Sequence, residues 1–269
     1  MCKRAFFHKT DGQVCDEFRS SAGISAKKDA YNRSMKKALF AISLTVAIIF
    51  TTAVALCVRV LNAPRAVAAF DDGGMRIVVD AGHGGIDGGV TGLKTGVKES
   101  ELNLEISHCL KAALEDMGFE VTLTRKTEAG LYGAPTSGFK KRDMKRRKEI
   151  IEETEPVLVI SVHQNFYPSH SVRGGQVFYN EENERSGRLA EVLQNQMNEL
   201  YASQGVNART AKPGDYFMVH CTEYPSVIVE CGFLSNSADE ALLVTQNWKR
   251  RLAQSMAAGV MEYLSGATA

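Results

Sequence analysis

The chain contains no C-x-x-C pair, although it has six cysteines. That absence argues against a structural zinc knuckle. Cys2, Cys15 and Cys57 precede or lie in the one long apolar run, and Cys109, Cys221 and Cys231 follow it. If the later part is exported, an odd number leaves at least one thiol free or paired between chains. Cys221 and Cys231 each flank a strand-like run, which disfavours a bridge between them. Excess charge of one sign is also missing. The formal net charge is +1, so nothing argues for nucleic acid as a general partner. Six prolines and one tryptophan in 269 residues fit a compact α/β domain. There is no internal repeat and no low-complexity tract. The Gly-rich stretch GHGGIDGG (82–89) lacks the Lys-Ser/Thr of a P-loop and the spacing of a dinucleotide fingerprint, which argues against a phosphate cradle.

What is present falls into four parts. Residues 1–37 are polar and mixed in charge, and read as a disordered, basic cytoplasmic tail. Residues 38–58 are apolar and carry no charge, about the length that spans a bilayer as a helix. A signal-peptide core is shorter, about 7–15 residues, which favours a retained anchor. The stretch APRAVAAF (63–70) resembles a cleavage site through Ala66 and Ala68, so a cleaved signal sequence stays open. Lys27, Lys28, Arg33, Lys36 and Lys37 precede the run and place the N-terminus inside. The expected location is therefore the cytoplasmic membrane with the following domain outside, or secretion after cleavage. Cys57 follows AVAL, a poor lipidation signal. Residues 59–74 read as a linker, and 75–265 as one domain.

Within that domain, apolar runs alternate with amphipathic stretches. Strands are expected at MRIVV, FEVTLTR, VLVISVH, GGQVFYN, DYFMVH and SVIVECGF. Between them lie ELNLEISHCLKAALEDMG, a basic helix over 141–153, and ERSGRLAEVLQNQMNELY. SADEALL and WKRRLAQSMAAGVMEYL close the chain as helices. Leu102, Ile106, Leu110 and Leu114 form one helical stripe, and Gly118 ends that helix. This order predicts a mostly parallel twisted sheet with helices on both faces.

The polar residues that end the apolar runs carry the chemistry. His83 closes RIVVDAGH, His163 closes VLVISVH, and Glu230 closes VIVE. Open α/β sheets bind ligands outside the carboxyl ends of their strands, so these side chains can meet in one place. Two imidazoles and a carboxylate form a zinc set for hydrolysis, with a fourth position left for water. The glycines around His83 let the chain turn tightly. A buried carboxylate without a partner is costly, which suits Glu230 to general-base work. Glu99 on its residues alone reads as an acid at a helix start. Glu101 is its nearest rival, and His220 is the competitor among the other histidines.

The runs VVDAGHGGIDGG, KESELNLEI, SVHQN and VIVECGFLSN resemble, in that order, the zinc-dependent N-acetylmuramoyl-L-alanine amidases. FKKRDMKRRKEI, GGQVFYNEENERSGRLAEVLQ and YFMVHCTEYPSVIVECGFLSN resemble more narrowly the germination-specific, spore-cortex branch. The resemblance covers about residues 75–265. It implies that His83, Glu99 and His163 hold Zn2+, since the family's ligand glutamate sits just before x-[DE]-L-N-L. It implies Glu230 as the base, and peptidoglycan as substrate with Arg142 and Asn165 contacting it. Family members controlled by an occluding helix carry a longer insertion after the second histidine, and its absence here implies a site that is open by default or governed by something outside this chain. An activator protein is a partner the sequence leaves open. Two competing readings stand beside this one: a zinc carboxypeptidase-like hydrolase, and a module that binds murein without cutting it. The first needs an arginine clamp for a free carboxylate, and the intact set of four residues argues against the second.

Overall fold

A computed structural model describes residues 35, 36, 39, 40, 42–52 and 74–266. The chain divides into two units, 1–66 and 67–269. In the first, all described residues are helical. The anticipated span over 38–58 lies partly outside the described residues, and among these no helix is long and apolar enough to cross a membrane. The expected tail and linker lie outside them but for residues 35, 36 and 74.

The second unit is built on one six-stranded sheet. In chain order its elements are β1 (Arg76–Ala81), α1 (Glu99–Glu115), β2 (Glu120–Leu123), α2 (Phe139–Thr154), β3 (Leu158–Asn165) and β4 (Gln176–Tyr179). Then come α3 (Glu184–Ala202), β5 (Lys212–Pro213), α4 (Phe217–His220), β6 (Ser226–Phe233), α5 (Ser237–Leu243) and α6 (Gln246–Gly266). The strand order is β2-β1-β3-β6-β4-β5. All neighbours run parallel except β4 and β6, so the sheet is mixed.

The central strands are apolar on both faces because both are covered. Ile77 and Val79 of β1 join Leu102, Ile106, Leu193 and Met256 on the face packed by α1, α3 and α6. Val78, Val159 and Ile228 point to the other face, against Ile151 of α2 and Met218 and Val219 of α4. The expected stripe Leu102, Ile106, Leu110 and Leu114 is fully buried. Gly118 takes a positive φ of 93° just beyond α1, where a glycine ends a helix without strain. Cys109, Cys221 and Cys231 are free thiols.

One local expectation fails. DYFMVH is no strand; residues 217–220 form the short helix α4. Met218 and Val219 are adjacent and both bury against the same sheet face, which an alternating strand cannot do. The edge position is instead taken by β5, two exposed residues with no apolar signal. Its proline suits an edge strand, where a missing N–H is harmless.

Candidate metal centre

Parallel pairing sets β1, β3 and β6 side by side with their carboxyl ends together. His83 follows the end of β1, Glu99 opens α1, and His163 and Glu230 stand opposite each other in register on β3 and β6. Potential ligand atoms of His83, Glu99 and His163 all lie within 4.8 Å of one another.

The loop after β1 is held by force of contacts. His83 has φ 61°, a conformation rare outside glycine, between Gly82 and Gly84. Such strain persists only when surroundings over-determine it. Two buried arginines do so. Arg125 donates to the carbonyls of Ala81, Gly82 and Ser100 at 2.8, 3.0 and 2.7 Å. Arg147 donates to Ala81 O at 2.8 Å and to His83 O at 2.6 Å. Arg147 is in turn paired with Asp80 and Asp143. Burial pushes the Asp80 carboxyl up, but Arg147 and the hydroxyls of Ser161 and Thr124 outweigh it and bring its pKa down to about 2.

Gly82 is required by proximity. A Cβ there would lie 2.2 Å from His163 Nε2, so the imidazole stacks directly on the glycine backbone. Gly89 plays the same part for Glu99, whose Oε2 would be 2.4 Å from an added Cβ.

Glu99 is 3% exposed. Its Oε1 accepts from Gln164 N at 3.1 Å and Asn103 Nδ2 at 3.4 Å, and lies 2.9 Å from His163 Nδ1 and 3.2 Å from His83 Nε2. Its Oε2 accepts from Val90 N at 2.9 Å. Burial raises its pKa, yet His163 and His83 hold it well below the usual carboxylate range. For His83, burial acts downward, and Glu99 and Asp87 more than reverse it, so its pKa is raised. The two rings are 5.0 Å apart and nearly perpendicular. Each neutral imidazole has one nitrogen without a proton, and here several nitrogens crowd one carboxylate oxygen. A cation at the convergence satisfies that donor set, which is the one zinc takes in catalytic sites. Glu230 differs. Its Oε2 is buried with no hydrogen-bond partner among the described residues. Burial lifts its pKa to about 7, with Glu99 adding to the rise and His163 and His83 opposing it.

Beside the histidines a cavity of about 210 Å3 opens, lined mainly by Tyr132, Phe139, Met144, Tyr216, Phe217 and Ile228. The segment from 166 to 175 that joins β3 to β4 contains no helix. Arg142 and Asn165 are not brought into this cavity. The Arg142 guanidinium donates to the carbonyls of Tyr132, Ala134 and Ser137 at 3.0, 2.8 and 2.8 Å and so staples the loop before α2. The Asn165 carbonyl accepts from Leu234 N at 2.8 Å. From α2 the exposed residue that lines the cavity is Lys140. His220 stays apart, 3.2 Å from Gly214 O. Sequence reasoning missed Asp87, whose Oδ1 lies 3.1 Å from His83 Nδ1, and both buried arginines. An aspartate in the otherwise apolar run IVVDA was the signal for Arg147.

Fold and site together define an α/β domain with a three-donor metal-type cluster and an adjacent buried carboxylate. Residues 77–262 match the N-acetylmuramoyl-L-alanine amidase family model, and the chain belongs to that family. It is 32% identical over 197 residues to the germination-specific N-acetylmuramoyl-L-alanine amidase of Bacillus subtilis, covering 71% of this chain and 81% of the relative. The CwlD amidase from Clostridioides difficile, solved in complex with the GerS lipoprotein, superposes with a TM-score of 0.68 at 31% identity. The match covers 71% of this chain and 99% of that one. The catalytic domain of CwlV from Bacillus (Paenibacillus) polymyxa gives 0.61 at 28% identity, over 71% and 98%.

Proposed function

We propose that this chain is a peptidoglycan hydrolase that cuts the amide between N-acetylmuramic acid and L-alanine with a zinc-activated water. The observation that carries this is the convergence of His83, Glu99 and His163 within 4.8 Å, with Glu230 in register beside His163. His83, Glu99 and His163 would hold the ion. Zinc bound there supplies polarisation of the carbonyl and a water whose pKa falls toward about 7. Glu230 would take a proton from the attacking water and hand it to the leaving nitrogen. Its oxygen, buried without a hydrogen-bond partner among the described residues, is free to accept a proton and to give it up again. Asp87, Arg125 and Arg147 keep the His83 ring and backbone in place. The relationship to the germination-specific relative favours spore cortex as the target. The test is His163→Ala. Zinc content and amide cleavage fall together if the assignment is right, and full zinc retention with intact activity overturns it.

We also propose that the enzyme sits on the outer face of the cytoplasmic membrane, held by residues 38–58. The run is free of charge, and the hydroxyls of Ser43, Thr45, Thr51 and Thr52 donate to carbonyls of their own helix. That is how a hydroxyl is satisfied without water. N-terminal sequencing of the native protein decides between anchor and cleaved signal: a mature start near Ala69 means an exported, unanchored enzyme.

A further inference from the structure

We infer that Lys140 is a specificity-determining residue that binds a free carboxylate on the stem peptide, one residue beyond the alanine released by cleavage. The inference rests on the amidase reading and adds the substrate feature that the same cleft selects.

The argument starts from the character of the cleft. Its wall beside His83 and His163 is aromatic and aliphatic, which suits an alanine methyl and an extended backbone. Such a cleft gains specificity from a few placed polar groups. Among its lining residues two side chains outside the imidazoles are cationic, Lys140 and Arg147. Arg147 is spent: it is fully buried and engaged with Asp80, Asp143, Ala81 O and His83 O. Lys140 is not. Its side chain is 68% exposed, and its contact among the described residues is a loose one, 3.5 Å to Asp87 Oδ2.

Position fixes the rest. Asp87 touches His83 through its other oxygen, so Lys140 Nζ stands one carboxylate away from the metal-type cluster. Two residues of extended chain reach about 7 Å. A peptide whose first amide is held at the cluster and whose chain follows this wall brings its second residue within reach of Lys140, which lines the same cavity as His83 and His163. A carboxylate there exchanges a 3.5 Å contact for a direct ion pair, while an amide offers no charge. Lys140 is the end of a flexible stem, so it can follow the ligand without moving the helix.

The pair is solvent-exposed, so its effect is modest, about fivefold in kcat/KM and carried by KM. The experiment compares two disaccharide-tetrapeptides, one with a free α-carboxylate on the second stem residue and one with its amide, using the full chain loaded with zinc. Wild type is expected to favour the acid about fivefold. Lys140→Met should bring the ratio to near one, and Lys140→Arg should restore it. Lys145→Met, on the same helix but outside the cleft, should keep the wild-type ratio. Cleavage of both substrates at equal kcat/KM by wild type overturns the inference and leaves the amidase reading standing. So does a Lys140→Met variant that loses activity on both in equal proportion. New reducing ends, or new termini inside the stem, in place of new N-terminal alanine overturn the amidase reading and the inference with it.

Discussion

Replacing Arg147 with methionine should turn the buried Asp80 from a source of stability into a liability, and pH reveals the change. Arg147 and Asp80 are 0% and 1% exposed, and the guanidinium binds Asp80 at 2.5 Å and Asp143 at 2.6 Å. Removing one partner of a buried pair strands the other charge and costs about 3–5 kcal/mol. In a domain of this size that lowers the Tm by roughly 10 °C. In the native protein the Asp80 pKa is about 2, below its ordinary 3.8. Its contribution, about 2 kcal/mol, is present above pH 4 and disappears as pH falls toward 2. Without Arg147, burial dominates and the folded pKa rises above the unfolded one. The charged form then penalises folding at neutral pH, and acid removes the penalty. Urea unfolding of the metal-free protein, followed by circular dichroism, measures this. Arg147→Met should be less stable than the double variant Arg147→Met, Asp80→Asn at pH 7, and the gap should close below about pH 4. A loss under 1 kcal/mol, or a double variant no more stable than the single one at pH 7, refutes the reasoning.

Glu230→Gln should keep the zinc and lose about 10²–10⁴-fold in turnover, since it removes a base and no ligand; metal loss in that variant would make Glu230 a ligand instead. Gly82→Ala should fold but bind zinc more weakly, because the new Cβ would occupy space 2.2 Å from His163 Nε2; zinc titration against a competing chelator reads it, and native affinity contradicts the packing argument.

How much of this was legible in the sequence depends on what each residue terminates. His83, His163 and Glu230 each end an apolar run, so strand pairing alone brings them together. Glu99 has no such mark. At the start of α1 it looks like any helix-start acid, and only the family pattern singles it out. Asp87 lies in a glycine-rich turn whose path no periodicity dictates. The arginines show the limit most clearly. KKRDMKRRK reads as part of a basic helix, and the family resemblance alone picks out Arg142 in it. The tertiary fold instead buries Arg147, one helical turn after Asp143 and against Asp80, and leaves Arg142 stapling a loop. The helix α4 was misread because four residues are too few to display a period.

The central claim is a bond: the amide between the muramic lactyl group and L-alanine. Mass spectrometry of peptidoglycan after incubation with the zinc-loaded protein tests it directly. The account predicts new N-terminal alanine on intact stem peptides, free lactyl carboxyls on the glycan, and no new reducing ends. New reducing ends without alanine would mean a glycosidase, and new termini inside the stem would mean a peptidase; either contradicts the account.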